Sequence, residues 1–245
     1  MQKKNGNGNS NGNDILTEVT KFNLTSKIKQ NLKQIKLTQK QEELYNLVEN
    51  NEIISVVGPA GTAKTFMSIY SALQFFINIK NTRIFLTKPI VESGENLGFL
   101  PGDEKDKINP YLQSYIDLFH EIVGKEVTKK LFDSKKVEFE PVAYMRGRNL
   151  KDCFIIVDEC QNYSMEQLMT LITRKHTSSK ILLLGDYLQD DRFINKKNHF
   201  KQFNEYILRP IKSKVAEFEF GINDIVRDKL IIDLIENYIK YKNNK

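Results

Sequence analysis

Histidine and cysteine are scarce in this chain, and the three histidines (His120, His176 and His199) lie far apart. A histidine-based metal site is therefore not expected. The two cysteines, Cys153 and Cys160, flank an apolar run at a spacing that fits neither a zinc site nor a disulfide framework. They read as reduced core thiols of a cytoplasmic protein. No apolar run approaches the roughly 18–20 residues that a membrane-spanning helix needs. The Lys/Asn/Gly-rich start has no apolar stretch of the secretory kind. No internal repeat and no interdomain linker break the sequence. What remains is a soluble globular composition, 40% hydrophobic and 28% charged over 245 residues, enough for one sizeable α/β core or two small ones.

Acidic charge is also in deficit: 37 Lys and Arg against 31 Asp and Glu give a net +6. Lysines cluster over 27–40, 125–136, 196–201 and 240–245. Such a surplus fits a polyanionic partner, RNA or DNA, and equally a solvated lysine-rich surface. Residues 1–14 are an Asn/Gly-rich tail expected to be disordered. Residues 15–36 form a basic extension in which Ile28, Leu32 and Ile35 recur at helical spacing. Core packing is the safest reading of that helix, beside contact with a neighbouring subunit or nucleic acid.

The chain is organised around one stretch. A β-branched apolar run, Ile53–Val57, stops at Gly58-Pro59-Ala60-Gly61-Thr62-Ala63-Lys64-Thr65, and an amphipathic segment follows. This order reads as strand, phosphate loop, helix. Loop amides and the positive end of the helix face the same anion. In this pattern Lys64 reaches the β- and γ-phosphates of ATP and the Thr65 hydroxyl ligates Mg²⁺. Ala63 stands where the motif has a second glycine. The expectation is that position 63 is already helical, so that alanine there is harmless.

The flanking segments supply partners for that loop. Thr38 caps a helix running to Asn50-Asn51, and Gln41, three residues on, carries the donor and acceptor needed to read an adenine edge. Strands are expected at 83–87, 137–139, 153–157, 181–184 and 215–220, and helices over 66–79, 106–123, 164–175 and from Asn223 or Asp224 to Ile239. The aromatics Tyr111, Tyr115 and Phe119 are read as core packing rather than base stacking. Cys153–Val157 is apolar throughout, hence buried on both faces, and ends in Asp158-Glu159. Asp158 is placed to hold Mg²⁺ and Glu159 to activate water. Ile181–Leu184 ends in Gly185-Asp186-Tyr187-Leu188-Gln189, with Gln189 placed to sense the γ-phosphate. Three sites thus fall at the carboxyl ends of buried strands, where open α/β sheets bind ligands.

Six segments occur in the order seen in PhoH-like proteins, and residues 37–241 resemble that family. They are Gly58–Thr65, Glu92–Gly102, Tyr144–Arg148, Val157–Asn162, Gly185–Gln189 and Asp224–Arg227. Leu97–Asp103 is the most family-specific of these sequences. The resemblance implies an α/β fold for residues 37–245: a single RecA-like P-loop NTPase domain with a mostly parallel central sheet sandwiched by helices, related to superfamily 1 helicases. It implies ATP hydrolysis coupled to binding or unwinding single-stranded RNA or DNA. Some relatives add a PIN-type nuclease domain, for which no room remains here, so no nuclease activity is expected. The Asn/Lys-rich composition is similar to that of an AT-rich genome such as a bacteriophage's. Lys88 stands where many relatives have Arg, and Asp190-Asp191-Arg192 replaces a usual Asp-Leu-Pro run. Hydrolysis of this kind often uses an arginine from a neighbour; Arg227 is the first candidate and Arg174 the second. A homo-oligomer, a hexameric ring above all, is expected on that ground. Two rivals stand beside this reading: a nucleotide-dependent nucleic-acid-binding switch with little turnover, which Ala63 favours, and a small P-loop kinase, which the strand-end carboxylates disfavour.

Overall fold

The computed structural model describes residues 24–89, 104–145, 147–187 and 198–243. Helix α1 spans 24–32. Then follow α2 (Gln39–Asn50), β1 (Ile53–Val57), α3 (Lys64–Asn78), β2 (Arg83–Thr87), α4 (Glu104–Val123), α5 (Lys125–Asp133), β3 (Val137–Phe139) and β4 (Cys153–Val157). The chain closes with α6 (Met165–Ile172), β5 (Lys180–Gly185), α7 (His199–Phe203), β6 (Val215–Glu219) and α8 (Lys229–Asn243).

The six strands form one sheet in the order β3-β2-β4-β5-β1-β6. All five pairings are parallel, so the carboxyl ends of the strands lie on one edge. The register sets Val57 beside Gly185 and Thr87 beside Val157, which brings the tips of β1, β5, β4 and β2 into one row. Alternate residues of these strands enter two cores. Ile54, Val56, Leu86, Ile156 and Leu182 face the layer built from α1 to α5. Phe85, Ile155, Val157, Ile181 and Leu183 face the layer containing α6 and α7. Burial on both sides explains why the central strands read as continuous apolar runs.

The basic helix α1 packs on the first core, as the safest reading of its apolar spacing expects. Ile28 and Leu32 are fully buried, and the Asn31 amide donates to the Val123 carbonyl at 2.8 Å. The closing helix departs from expectation, because it does not begin at Asn223 or Asp224. Residues Ile222–Asp224 make a single 3₁₀ turn, in which the Gly221 N–H donates to Asp224 Oδ2 at 2.7 Å. Val226 N–H then donates to the Gly61 carbonyl at 2.9 Å. That bond ties the backbone to the phosphate loop and delays the helix until Lys229.

Candidate nucleotide-binding site

The loop Gly58–Thr65 leaves the tip of β1 between β5 and β6. Gly58 N–H donates to Gly185 O at 3.2 Å, and a Cβ on Gly58 would lie 2.7 Å from Phe220 Cβ, so the backbone passes where no side chain fits. Gly61 has φ +83° and packs against Ile225 and Arg227, whose atoms a Cβ there would meet at 3.1–3.2 Å. Thr62 is buried and its hydroxyl donates to the Pro59 carbonyl at 2.9 Å.

Ala63 corrects the expectation made for it. It is the residue before α3, and its backbone is left-handed, with φ 61° and ψ 26°, not right-handed helical. The chain must turn there to start α3 with Lys64 and Thr65 at the head of the helix. A non-glycine residue in that region costs on the order of 1–2 kcal/mol. Glu159, at the tip of β4, is also left-handed at φ 54°. Two strained non-glycine residues therefore sit in one site.

Lys64 Nζ donates to the carbonyls of Gly58 at 2.6 Å and Pro59 at 2.9 Å. Burial lowers its ammonium pKa, while Asp186, Asp158 and Glu159 pull it back up. Thr65 Oγ1 donates to Asp158 Oδ2 at 3.0 Å, and the Glu159 N–H donates to Asp158 Oδ1 at 2.9 Å. Tyr115 Oη, from the buried face of α4, donates to the same Oδ2 at 3.2 Å. Burial and the Asp158 charge keep that phenol protonated. Partial desolvation and the Asp158 carboxylate raise the Glu159 pKa, against the pull of Gln161, Lys64 and Lys88.

Gln161 joins two strand tips. Its Nε2 donates to Glu159 Oε2 at 2.6 Å, and its Oε1 accepts from the Asp186 N–H at 3.0 Å. Lys88, at the end of β2, stands 5.3 Å and 5.6 Å from the ring centroids of Tyr111 and Tyr115. A cavity of about 540 Å³ runs from the phosphate loop past Asp158, Glu159 and Asp186 to Thr38, Gln41, Leu118, Val226 and Arg227. Gln41 closes a reciprocal cap with Thr38, its Oε1 accepting from Thr38 N–H at 3.0 Å, which holds its amide at the cavity wall.

The structure thus brings Gln41, Gly61, Ala63, Lys64, Thr65, Asp158, Glu159 and Arg227 to one cavity. Arg227 lies against its own chain's Gly61 at the cavity wall. Arg174 follows α6 at the opposite edge of the sheet, where its carbonyl accepts from Leu150 N–H, so it does not join the site. Gln189 and the whole of the Glu92–Asp103 sequence lie outside the described residues. No signal in the sequence marks Tyr115 as anything but core. Gln161 and Asp186 were visible only as neighbours of the strand-end motifs. Each is picked out by a polar partner that the fold supplies.

Donor chemistry suits Mg²⁺: one hydroxyl and one carboxylate, both hard oxygens, in contact beside the phosphate loop, with room for phosphate and water to complete the shell. Among the described residues no group of three His, Cys, Asp or Glu forms an all-protein metal cage. No helix there is long and apolar enough to cross a membrane.

A parallel sheet with a phosphate loop at the first strand and an Asp-Glu pair two strands away is the frame of a P-loop nucleoside triphosphatase. The sequence matches the family described as PhoH-like protein over residues 34–239, and the chain belongs to that family. It is 37% identical over 203 residues to a PhoH-like protein of Bacillus subtilis, covering 83% of this chain and 63% of the relative. It is 34% identical over 231 residues to one of Mycobacterium bovis, covering 94% and 64%. Protein PhoH of Escherichia coli K12 is 33% identical over 159 residues, covering 63% and 45%. The chain therefore spans less than two thirds of these relatives, all bacterial. Among solved structures it is similar to the large terminase of a thermophilic bacteriophage in complex with ADP, at 11% identity and a TM-score of 0.45. That match covers 80% of this chain and 48% of the other, a likeness too loose to carry functional weight.

Proposed function

We propose that the protein binds ATP with Mg²⁺ and hydrolyses it, and that hydrolysis is coupled to engagement of single-stranded RNA or DNA. The observation that carries the reading is the contact between Thr65 and Asp158. It joins the head of the loop helix to the tip of a strand two places away, with Glu159 next in chain.

The steps follow from the residues. Loop amides and Lys64 bind the β- and γ-phosphates, and Lys64 stabilises the charge that spreads over the transferred phosphoryl group. Thr65 and Asp158 would hold Mg²⁺, which when bound would neutralise phosphate charge and orient the phosphates. Glu159, its pKa raised towards working pH, accepts a proton from water; Gln161 holds its carboxylate and links it to Asp186. Gln41 reads the adenine edge. Arg227, held beside Gly61, reaches the phosphates from within its own chain. Gln189 is proposed to sense the γ-phosphate. The net charge of +6 supports a nucleic-acid partner. An oligomer, with a hexamer favoured, gains support from α8. None of its described residues is buried, and Leu230, Leu234, Tyr238 and Tyr241 are exposed.

Phosphate release measured with and without single-stranded RNA and DNA tests this reading. Lys64→Ala is expected to abolish turnover. Glu159→Gln is expected to lower it by about 10²–10⁴-fold while nucleotide affinity stays within a few-fold. Tight binding with negligible release by the wild type would favour the rival switch reading, for which the strained Ala63 is the supporting observation.

A further inference from the structure

Asp158 is held by more than the loop helix. Its Oδ2 accepts from Thr65 Oγ1 at 3.0 Å and from Tyr115 Oη at 3.2 Å, and its Oδ1 accepts from Glu159 N–H at 2.9 Å. Thr65 is itself a proposed metal ligand: a lone pair of its hydroxyl would go to the cation while its O–H still donates to Asp158 Oδ2. The Glu159 amide fixes Oδ1. Tyr115 is a donor to Oδ2 that is not itself a proposed metal ligand.

The place of Tyr115 suits that duty. It lies on α4, a third element beside α3 and β4, and its side chain is 1% exposed. The ring is fixed by Phe139, at a centroid distance of 5.8 Å, and by Lys88 Nζ, 5.6 Å from its centroid. A rigid aromatic with a single donor at its tip can set a carboxylate rotamer without competing as a charged group. Core packing alone would be met equally by phenylalanine, which brings no buried hydroxyl needing a partner.

We infer that Tyr115 is a positioning residue for the Mg²⁺ site: its hydroxyl holds Asp158 Oδ2 facing the cation held with ATP, and the residue tunes metal affinity without touching metal or nucleotide. The inference rests on the reading of Asp158 as a metal-holding residue. Loss of such an outer-shell partner typically weakens metal binding by about 10–100-fold.

The test is a titration of Mg²⁺, and of Mn²⁺ followed by its electron paramagnetic resonance signal, into full-length protein with a fluorescent ATP analogue. Wild type, Tyr115→Phe and Asp158→Asn are compared, with analogue affinity in EDTA and thermal melting as controls. Tyr115→Phe is expected to keep the melting temperature and the EDTA affinity of the wild type. Its half-saturating metal concentration should rise by about 10-fold. Asp158→Asn should raise it at least as much. An unchanged or lowered metal requirement in Tyr115→Phe, with Asp158→Asn impaired, overturns the role of Tyr115 and leaves the site standing. Metal dependence unchanged in Asp158→Asn overturns the underlying reading instead. Should Tyr115→Phe melt early, Tyr115→Leu serves as reference. A role in packing alone predicts that metal affinity follows melting temperature across the two variants, and that result also overturns the inference.

Discussion

Ala63 and Glu159 both hold left-handed backbone at the cavity. For Ala63, glycine removes the Cβ penalty, but it also enlarges the unfolded ensemble, and the two effects partly offset. The balance at a positive φ favours glycine by on the order of 1 kcal/mol. Ala63→Gly is therefore expected to raise the melting temperature by about 2–4 °C for a domain of this size. ATP affinity should rise no more than a few-fold, because the substitution removes no phosphate-binding group. Calorimetric melting with nucleotide titration checks both.

Glu159 offers a pH test whose sign is fixed by its surroundings. Its folded-state pKa is raised by desolvation and by Asp158. The folded protein thus binds that proton more tightly than the unfolded chain does, and the ionised form costs stability. That cost is fully present above the raised folded pKa and vanishes below the ordinary carboxylate value near 4.5. Glu159→Gln is accordingly expected to melt higher than wild type at pH 7–8, with the difference closing as pH falls through the carboxylate range. Equal melting curves at pH 8 would show that the carboxylate carries no penalty. Such a penalty is what a group kept for chemistry rather than for folding incurs.

At the scale of elements, the sheet was readable because its central strands are buried on both faces and its helices carry regular apolar spacing. The residue ranges 83–87, 137–139 and 153–157 coincide with strands β2, β3 and β4. The loop, Asp158 and Glu159 were readable because their chemistry depends on spacing along the chain. The Tyr115 contact was hidden, since its partner lies 43 residues away and an aromatic at helical spacing looks the same whether its hydroxyl is used or not. α5 was missed although Val127 and Leu131 stand at helical spacing, because it is short, and α7 and the π-helical turn Asn204–Leu208 were hidden in a polar stretch. The segment 221–227 misled because capping residues there precede an apolar run, yet the backbone is claimed by Gly61. That segment decides how Arg227 acts. If Arg227 serves its own chain, mixing Arg227→Ala with excess Lys64→Ala protein restores no turnover. Recovery well above the Arg227→Ala rate would mean that the arginine crosses between subunits.

At the scale of the whole molecule, one parallel sheet carries the phosphate loop, the Thr65–Asp158 contact and Glu159 on a single edge, with α1 to α5 packed on one face of it. Helix α8 lies beside the phosphate loop, where Ile231, Leu234 and Tyr238 line a cavity with Pro59, Ala60 and Asp186, and its exposed residues and the basic surplus are what a partner subunit or a nucleic-acid strand is proposed to meet. Everything proposed for them presupposes turnover at the strand edge. The most direct measurement is steady-state phosphate release from ATP and Mg²⁺ by the purified chain, beside Glu159→Gln and Lys64→Ala, over a panel of single-stranded RNAs and DNAs. Expected are release by the wild type, a fall of about 10²–10⁴-fold in Glu159→Gln with nucleotide still bound, and none in Lys64→Ala. Release that is unaffected by both substitutions, or no release by the wild type under any of these conditions, would contradict an ATPase built on this strand edge.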